Sequence, residues 1–163
     1  MSRRLAAYAV CIEDGRVLLA RYVSPYGDGT WWTLPGGGVE PCEDPFDTVV
    51  REVAEETGCT AVVERLLGVD SRIIPAAERH HPGPEDHQNI GIFYAVRITA
   101  GTLRPEPNGE TAESVWTPLT AVPTLDRAAL VDTGINLAQS QPPTGHVPPA
   151  ATTDVILGAN DRT

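Results

Sequence analysis

The chain has 163 residues, 41% hydrophobic and 21% charged, which is enough to bury one core and too few to lead us to expect a second domain. Its 12 basic residues stand against 22 acidic ones, a formal net charge of -10, and such an excess repels polyphosphate backbones, so sustained binding to long nucleic acid is not expected. A small anionic ligand would need a cation to bridge it.

In chain order, the first apolar run covers residues 5–12 and is cut by Glu13 and Asp14. It is too short for a signal peptide, no later segment reaches membrane-spanning length, and a membrane partner is not expected. Residues 5–12 and 16–22 flank Glu-Asp-Gly and read as a β-hairpin, with Gly15 free to take a positive φ. WWTLP at 31–35 reads as a strand end and is followed by the glycines of PGGGVEPCED. Residues 45–57 read as a helix: Asp44 suits the N-cap, Pro45 the first helical position, Asp47 the first turn, and Gly58 the C-terminus.

Two β-branched and aromatic stretches, 61–74 and 89–99, read as strands on either side of the polar loop PAAERHHPGPEDHQ. A short strand is predicted at 113–117, and a second helical region at about 124–138, where Leu125, Ala129, Leu130 and Leu137 recur at helical spacing. Past Gln139 the composition turns proline-rich, so a domain over 1–139 and an extended tail over 140–163 are expected. In that tail Val155, Ile156 and Leu157 are apolar, and the sequence names no place for them to dock. The three cysteines, Cys11, Cys42 and Cys59, show neither Cys-x-x-Cys spacing nor a pairing framework, which fits a reducing cytoplasm.

The helix at 45–57 raises a question of charge. Phe46, Val49, Val50, Val53 and Ala54 make one apolar stripe, and Glu52, Glu55 and Glu56 gather on the opposite side. In solvent, like-charge pairs at this spacing cost only about 0.2–0.5 kcal/mol each, so the glutamates alone decide nothing. Enclosed, two carboxylates ~5 Å apart repel by about 3 kcal/mol at an effective dielectric of 20, and a divalent cation reverses that sign.

The neighbours of the three glutamates settle the reading. Five residues separate Gly37 from Glu43, seven more lead to Arg51-Glu52, and Glu55, Glu56 and Gly58 follow. This pattern resembles the signature of the Nudix hydrolase (MutT-like) family at Gly37, Glu43, Arg51, Glu52, Glu55, Glu56 and Gly58; seven specified positions match by chance on the order of once in 10⁸ starts. Cys59 stands where that family usually has an aliphatic residue, and a buried thiol serves as a small hydrophobe. The resemblance implies an α/β protein with the Nudix fold, an α/β/α sandwich with a mixed central β-sheet. It also implies Mg²⁺ (or Mn²⁺) as cofactor, and a small nucleotide as partner; a homodimer stays open.

Hydrolysis of a phosphoanhydride needs charge neutralisation at phosphorus and an oriented water, which a hard cation on oxygen ligands supplies. Glu52 and Glu56, one turn apart, can share that cation, and Glu55 can complete the site or orient the water. The resemblance makes Glu52, Glu55 and Glu56 the catalytic and metal-binding residues, with Gly37 in the metal set, and names Glu52 or a carboxylate outside the motif as base. Glu85, Asp86, Glu110 and Glu113 are candidates for that outside carboxylate, each also readable as plain surface. Gly37, Glu43, Arg51 and Gly58 read as structural, Arg51 and Glu43 forming an ion pair that fixes the loop on the helix. Gly36, Gly37 and Gly38 let the backbone turn tightly, where amides approach a phosphate.

Arg21 is a candidate contact for the pyrophosphate, with an ordinary surface arginine as the competing reading. Of Trp31 and Trp32, one is expected in the core and one, taken as Trp32, as a site wall that with Tyr26 stacks a nucleobase. His80, His81 and His87 match no strong metal-ligand spacing and read as a solvated loop. In the ADP-ribose-cleaving branch of the family a proline follows the motif by about fifteen residues, and here Pro75 lies sixteen beyond Cys59; Ala76 and Ala77 stand where the tetraphosphate-cleaving branch has a tyrosine. The expected substrate is a nucleoside diphosphate linked to another group, such as ADP-ribose or a nucleotide sugar. The alternatives are a nucleoside triphosphate pyrophosphohydrolase of the sanitising kind and a catalytically idle nucleotide-sensing module.

Overall fold

The computed structural model describes residues 1–27, 29–78 and 84–150. Its elements run β1 (Ser2–Val10), β2 (Ile12–Glu13), β3 (Arg16–Val23), β4 (Thr30–Thr33), β5 (Gly36–Gly38), α1 (Pro45–Thr57), β6 (Cys59–Ile74), β7 (His87–Gly101), β8 (Thr111–Pro118) and α2 (Ala129–Ser140). One sheet has the order β5-β1-β7-β6, with β1 parallel to β7 and the other pairs antiparallel. A second, antiparallel sheet joins β2, β3 and β4, with β8 on the other side of β3.

Strand β1 shows why the mixed sheet lies between two helices. Strand side chains alternate between faces, and here both faces of β1 are apolar and small. Ala7 and Ala9 pack with Val49, Val53, Ala61 and Val96 beneath α1. Ala6, Tyr8 and Val10 pack with Leu34, Phe93, Val131, Ile135 and Leu137 beneath α2. The expected α/β/α sandwich is thus present, with the all-antiparallel sheet added at one side.

The predicted hairpin is corrected. Only Ile12 and Glu13 pair with Val17 and Arg16, across a turn in which Asp14 (φ 48°) and Gly15 (φ 71°) both take the left-handed conformation that a type I′ turn requires. The rest of the apolar run leaves the hairpin and pairs in parallel with β7, from Ser2↔His87 to Val10↔Ala95. The physical reason is burial: a strand apolar on both faces gains most at the centre of a covered sheet.

The second helix also begins later than residue 124. Residues 126–128 bind along β4, where Trp32 N–H donates to the Asp126 carbonyl (2.9 Å) and Ala128 N–H to the Trp32 carbonyl (2.9 Å). The chain is therefore extended at Arg127 and turns helical only at Ala129; a separate 3₁₀ turn covers Val122–Thr124, with Leu125 at its end. Helix α2 continues to Ser140, and beyond it the Gly145 carbonyl accepts from Val69 N–H (3.0 Å) while Val147 joins the core. His87 is corrected as well: it belongs to β7, is 4% exposed, and its Nδ1 hydrogen-bonds Ser2 Oγ at 2.9 Å. His80, His81, Val155, Ile156 and Leu157 lie outside the described residues. Among the described residues no helix is long and apolar enough to cross a membrane.

Candidate active site

Helix α1 starts as expected. Asp44 sits at φ -83°, ψ 137°, and its Oδ1 accepts from Phe46 N–H (2.8 Å), Pro45 follows, and Gly58 closes the helix at φ 77° with its N–H on the Ala54 carbonyl. Val49 and Val53 are buried, whereas Phe46, counted in the same stripe, is 48% exposed and meets Tyr94 edge-on at 6.3 Å between ring centroids. Arg104 finishes the C-terminus, donating to the Glu55 (3.2 Å) and Ala54 (3.3 Å) carbonyls.

The acidic face of α1 lies against the three glycines, and this contact explains them. Gly36–Gly38 are not a loop but the strand β5, paired as Ala6↔Gly38, Ala7↔Gly37 and Tyr8↔Gly36. A Cβ on Gly37 would lie 2.3 Å from Glu52 Oε1, and one on Gly36, at φ 150°, would lie 2.3 Å from the Ala7 carbonyl oxygen. The Gly36 N–H donates to Glu56 Oε2 at 2.9 Å, so this amide holds a carboxylate of the acidic face and is not spare for a phosphate.

Arg51 and Glu43 form the anticipated ion pair, and Arg51 does more than fix the loop. Its Nε and Nη2 donate to the two Glu43 oxygens (2.8 and 2.9 Å), Nη2 also reaches the Gly38 carbonyl (3.3 Å), and Nη1 donates to Glu52 (2.9 Å) and Glu55 (3.1 Å). Glu43 accepts further from Thr48 Oγ1 (2.7 Å) and Glu40 N–H (3.1 Å). With Arg51 as the main cause, its carboxyl is held down at about 2.

Glu52 and Glu56 move the other way. Burial raises the Glu52 pKa against the pull of Arg51, and burial together with the charge of Glu52 raises that of Glu56 well above the carboxylate range. Glu56 is held by two donors, Gly36 N–H and Thr111 Oγ1 (3.0 Å), and its own backbone carbonyl accepts from Ser114 Oγ (3.4 Å). Two enclosed carboxyls, one raised by the charge of the other and both hard oxygen donors, fit Mg²⁺ or Mn²⁺. Among the described residues no three His, Cys, Asp or Glu side chains are already gathered as a cation cage; Arg51 draws both Glu55 and Glu52 toward itself.

These groups open into a cleft of about 320 Å³ that also takes in Arg4, Tyr8, Tyr22, Thr33, Glu106 and Glu110. Of the residues expected in it, Glu52, Glu55, Glu56, Gly36, Gly37 and Arg51 are brought together. Arg21 is not: it pairs with Glu113 at 2.9 Å, because β8 registers Arg21 opposite Glu113. Neither tryptophan forms a wall; Trp31 is in the core and Trp32 packs on the α2 side, while Tyr8 and Tyr22, the latter 4.8 Å from Trp31, are the aromatic lining. Tyr26 is exposed in a turn. Glu85 pairs with the Met1 amine and Asp86 accepts from Ala76 N–H, so both are spent at the start of β7. Glu110 lines the cleft.

The sequence reading missed Glu106, Arg4 and Tyr8. Glu106 accepts from Thr111 N–H (3.1 Å) and adds to the charge opposing Glu56. Its spacing to the motif carries no signal; only the pairing of β8 with β3 brings the 106–110 turn over α1. Arg4 and Tyr8 come from a strand read as half of a hairpin, which hid their place beside β5.

A family model described as NUDIX domain matches residues 2–135. The human 8-oxo-dGDP phosphatase NUDT18 is 32% identical over 118 residues, which is 71% of this chain and 32% of that protein, so the match spans about a third of the relative's length. A solved NUDIX hydrolase from Nitrosomonas europaea shares the fold with a TM-score of 0.68 at 20% identity, over 85% of this chain and 90% of that one. An ADP-ribose pyrophosphatase from Streptococcus suis shares it with a TM-score of 0.52 at 26% identity, over 72% and 75% of the two chains.

Proposed function

We propose, since the chain belongs to the NUDIX domain family, that it is a divalent-metal-dependent pyrophosphohydrolase acting on a nucleoside diphosphate linked to another group, of ADP-ribose or nucleotide-sugar type. The observation that carries this reading is the enclosure of Glu52 and Glu56 against the bare backbone of β5, with the Glu52 charge adding to the cost of ionising Glu56. The names of two similar proteins, an ADP-ribose pyrophosphatase and an 8-oxo-dGDP phosphatase, both contain a nucleoside diphosphate.

Glu52 and Glu56 would hold the cation, with Glu55 added from the same face. The ion would supply charge neutralisation at phosphorus and a more acidic water. Gly36 N–H and Thr111 Oγ1 orient the Glu56 carboxylate, and Arg51 orients Glu52, so neither has to be ordered when substrate arrives. Glu106 and Glu110, lining the same cleft, offer carboxylate oxygens to take the proton of the attacking water. The new P–O bond forms from that water, the anhydride P–O bond breaks, and the leaving phosphate carries away the electron pair.

The test is release of products from a panel of ADP-ribose, nucleotide sugars, 8-oxo-dGDP, nucleoside triphosphates and dinucleoside polyphosphates with Mg²⁺ or Mn²⁺. The expected result is metal-dependent cleavage strongest on diphosphate-linked nucleosides. Preference for triphosphates would replace this substrate class with the sanitising one, and binding without turnover of any compound would leave a sensing module.

A further inference from the structure

Among the described residues lining the cleft, the cations are Arg4 and Arg51. A guanidinium has five N–H donors, and Arg51 makes five hydrogen bonds: two to Glu43 and one each to Gly38, Glu52 and Glu55. It has none left to offer a ligand. Arg4 takes part in no hydrogen bond or ion pair among the described residues, although the cleft is rich in carboxylates.

The position of Arg4 explains its freedom. Its side chain shares a face of β1 with Ala6 and Tyr8, whereas α1 covers the opposite face of that strand through Ala7 and Ala9. Between the two lies β5, which carries no side chains. Glu52 presses on Gly37, Glu56 is bonded to Gly36, and Arg4 stands at the third glycine, where a Cβ on Gly38 would lie 3.7 Å from Arg4 Nε. The cleft therefore has Glu52 and Glu56 on one side of the bare backbone, with Arg51 saturated among the carboxylates, and on the other Arg4, whose charge reaches Glu52.

We propose, resting on the reading of this cleft as a phosphoanhydride hydrolase, that Arg4 binds a phosphate of the substrate, so that a diphosphate straddles β5 with one phosphate at Arg4 and the other at Glu52 and Glu56. Arginine suits this task because its planar fork meets two phosphate oxygens at once. A substrate with adjacent anionic phosphates fills both sides, and a phosphomonoester leaves one empty. Arg4 takes the role that the sequence suggested for Arg21.

The test compares Arg4→Gln, Arg4→Lys and Arg3→Gln with the wild-type chain on its best substrate at saturating Mg²⁺. Arg3 carries the same charge on the same strand, but it faces away and is bonded to Gln88 at the surface. Arg4→Gln is expected to raise KM by about 10- to 100-fold with kcat within about threefold, Arg4→Lys to recover part of the loss, and Arg3→Gln to match wild type. Binding of ADP, measured by equilibrium dialysis with Ca²⁺ in place of Mg²⁺, should weaken in parallel with the rise in KM. An unchanged KM in Arg4→Gln, a loss confined to kcat, or an equal effect of Arg3→Gln would overturn the assignment while leaving the hydrolase reading intact. Should the wild-type chain prove inactive on every compound, the hydrolase reading fails, and ADP dialysis then judges Arg4: weaker binding in Arg4→Gln alone supports it. Equal binding, or none to the wild type, refutes it.

Discussion

Helices α1 and α2 cover opposite faces of the mixed sheet and are of nearly equal length, 13 and 12 residues, yet they are specified in opposite ways. Helix α1 carries its own instructions: an N-cap bond from Asp44, Pro45 at the start, and Gly58 in the left-handed conformation at the end. Helix α2 has no side-chain cap at Ala128, ends on Gln141 at φ 42°, and contains Gly134, which costs about 1 kcal/mol in a helix interior. It is a helix because Val131, Ile135 and Leu137 are buried against β1 and β7. A helix specified locally can devote its outer face to chemistry, whereas one specified by packing has little face left to change.

If that contrast holds, Glu56→Gln should separate chemistry from folding most sharply. It keeps the shape and removes the charge, so turnover should fall by about 100-fold or more, a barrier increase of about 2.7 kcal/mol, with the urea midpoint moved little. Activity retained within about tenfold would remove Glu56 from the metal-binding set.

The next largest effect is expected on the other helix. At Gly134 a Cβ would lie 2.6 Å from Leu34 Cδ1, 3.0 Å from Val10 Cγ2 and 3.3 Å from Phe93 Cδ1. Gly134→Val should lower stability by about 1–3 kcal/mol through overpacking, read as a lower urea midpoint. A variant as stable as wild type would mean that α2 does not depend on this close approach.

The smallest effect concerns the loop that α1 organises. Arg51 holds the Glu43 carboxyl at about 2, below its ordinary 4.5. A carboxyl whose folded pKa is depressed contributes stability that is complete above 4.5 and is lost as pH falls toward 2. Thermal midpoints of wild type and Glu43→Gln should therefore differ by a few degrees at pH 6, draw together as pH falls below 4.5, and converge only by about pH 2. A difference that does not change with pH would show that the Arg51 pairing contributes nothing through charge.

What was readable beforehand follows the same division. The motif from Gly37 to Gly58, the caps of α1 and the gathering of Glu52 and Glu56 are local, set by spacing along a helix whose geometry is known. The glycines were noticed for the right place and a different reason: their function is to let carboxylates touch backbone. Arg21 and Trp32 were misplaced because each depends on strand register. Arg21 faces Glu113 and Trp32 meets Arg127, pairings that no spacing within the sequence encodes.

The sequence by itself determined the family, the acidic helix, its caps and the chemistry of its outer face, because these rest on interactions within about four residues. Only the tertiary structure decided which residues complete the cleft. Arg4 and Tyr8 arrive with β1, Tyr22 and Thr33 with β3 and β4, and Glu106 and Glu110 with the turn before β8. They meet because apolar burial on both faces of β1 places it at the centre of the sheet, beside a strand of three glycines, where long-range pairing outweighs the local hairpin pattern.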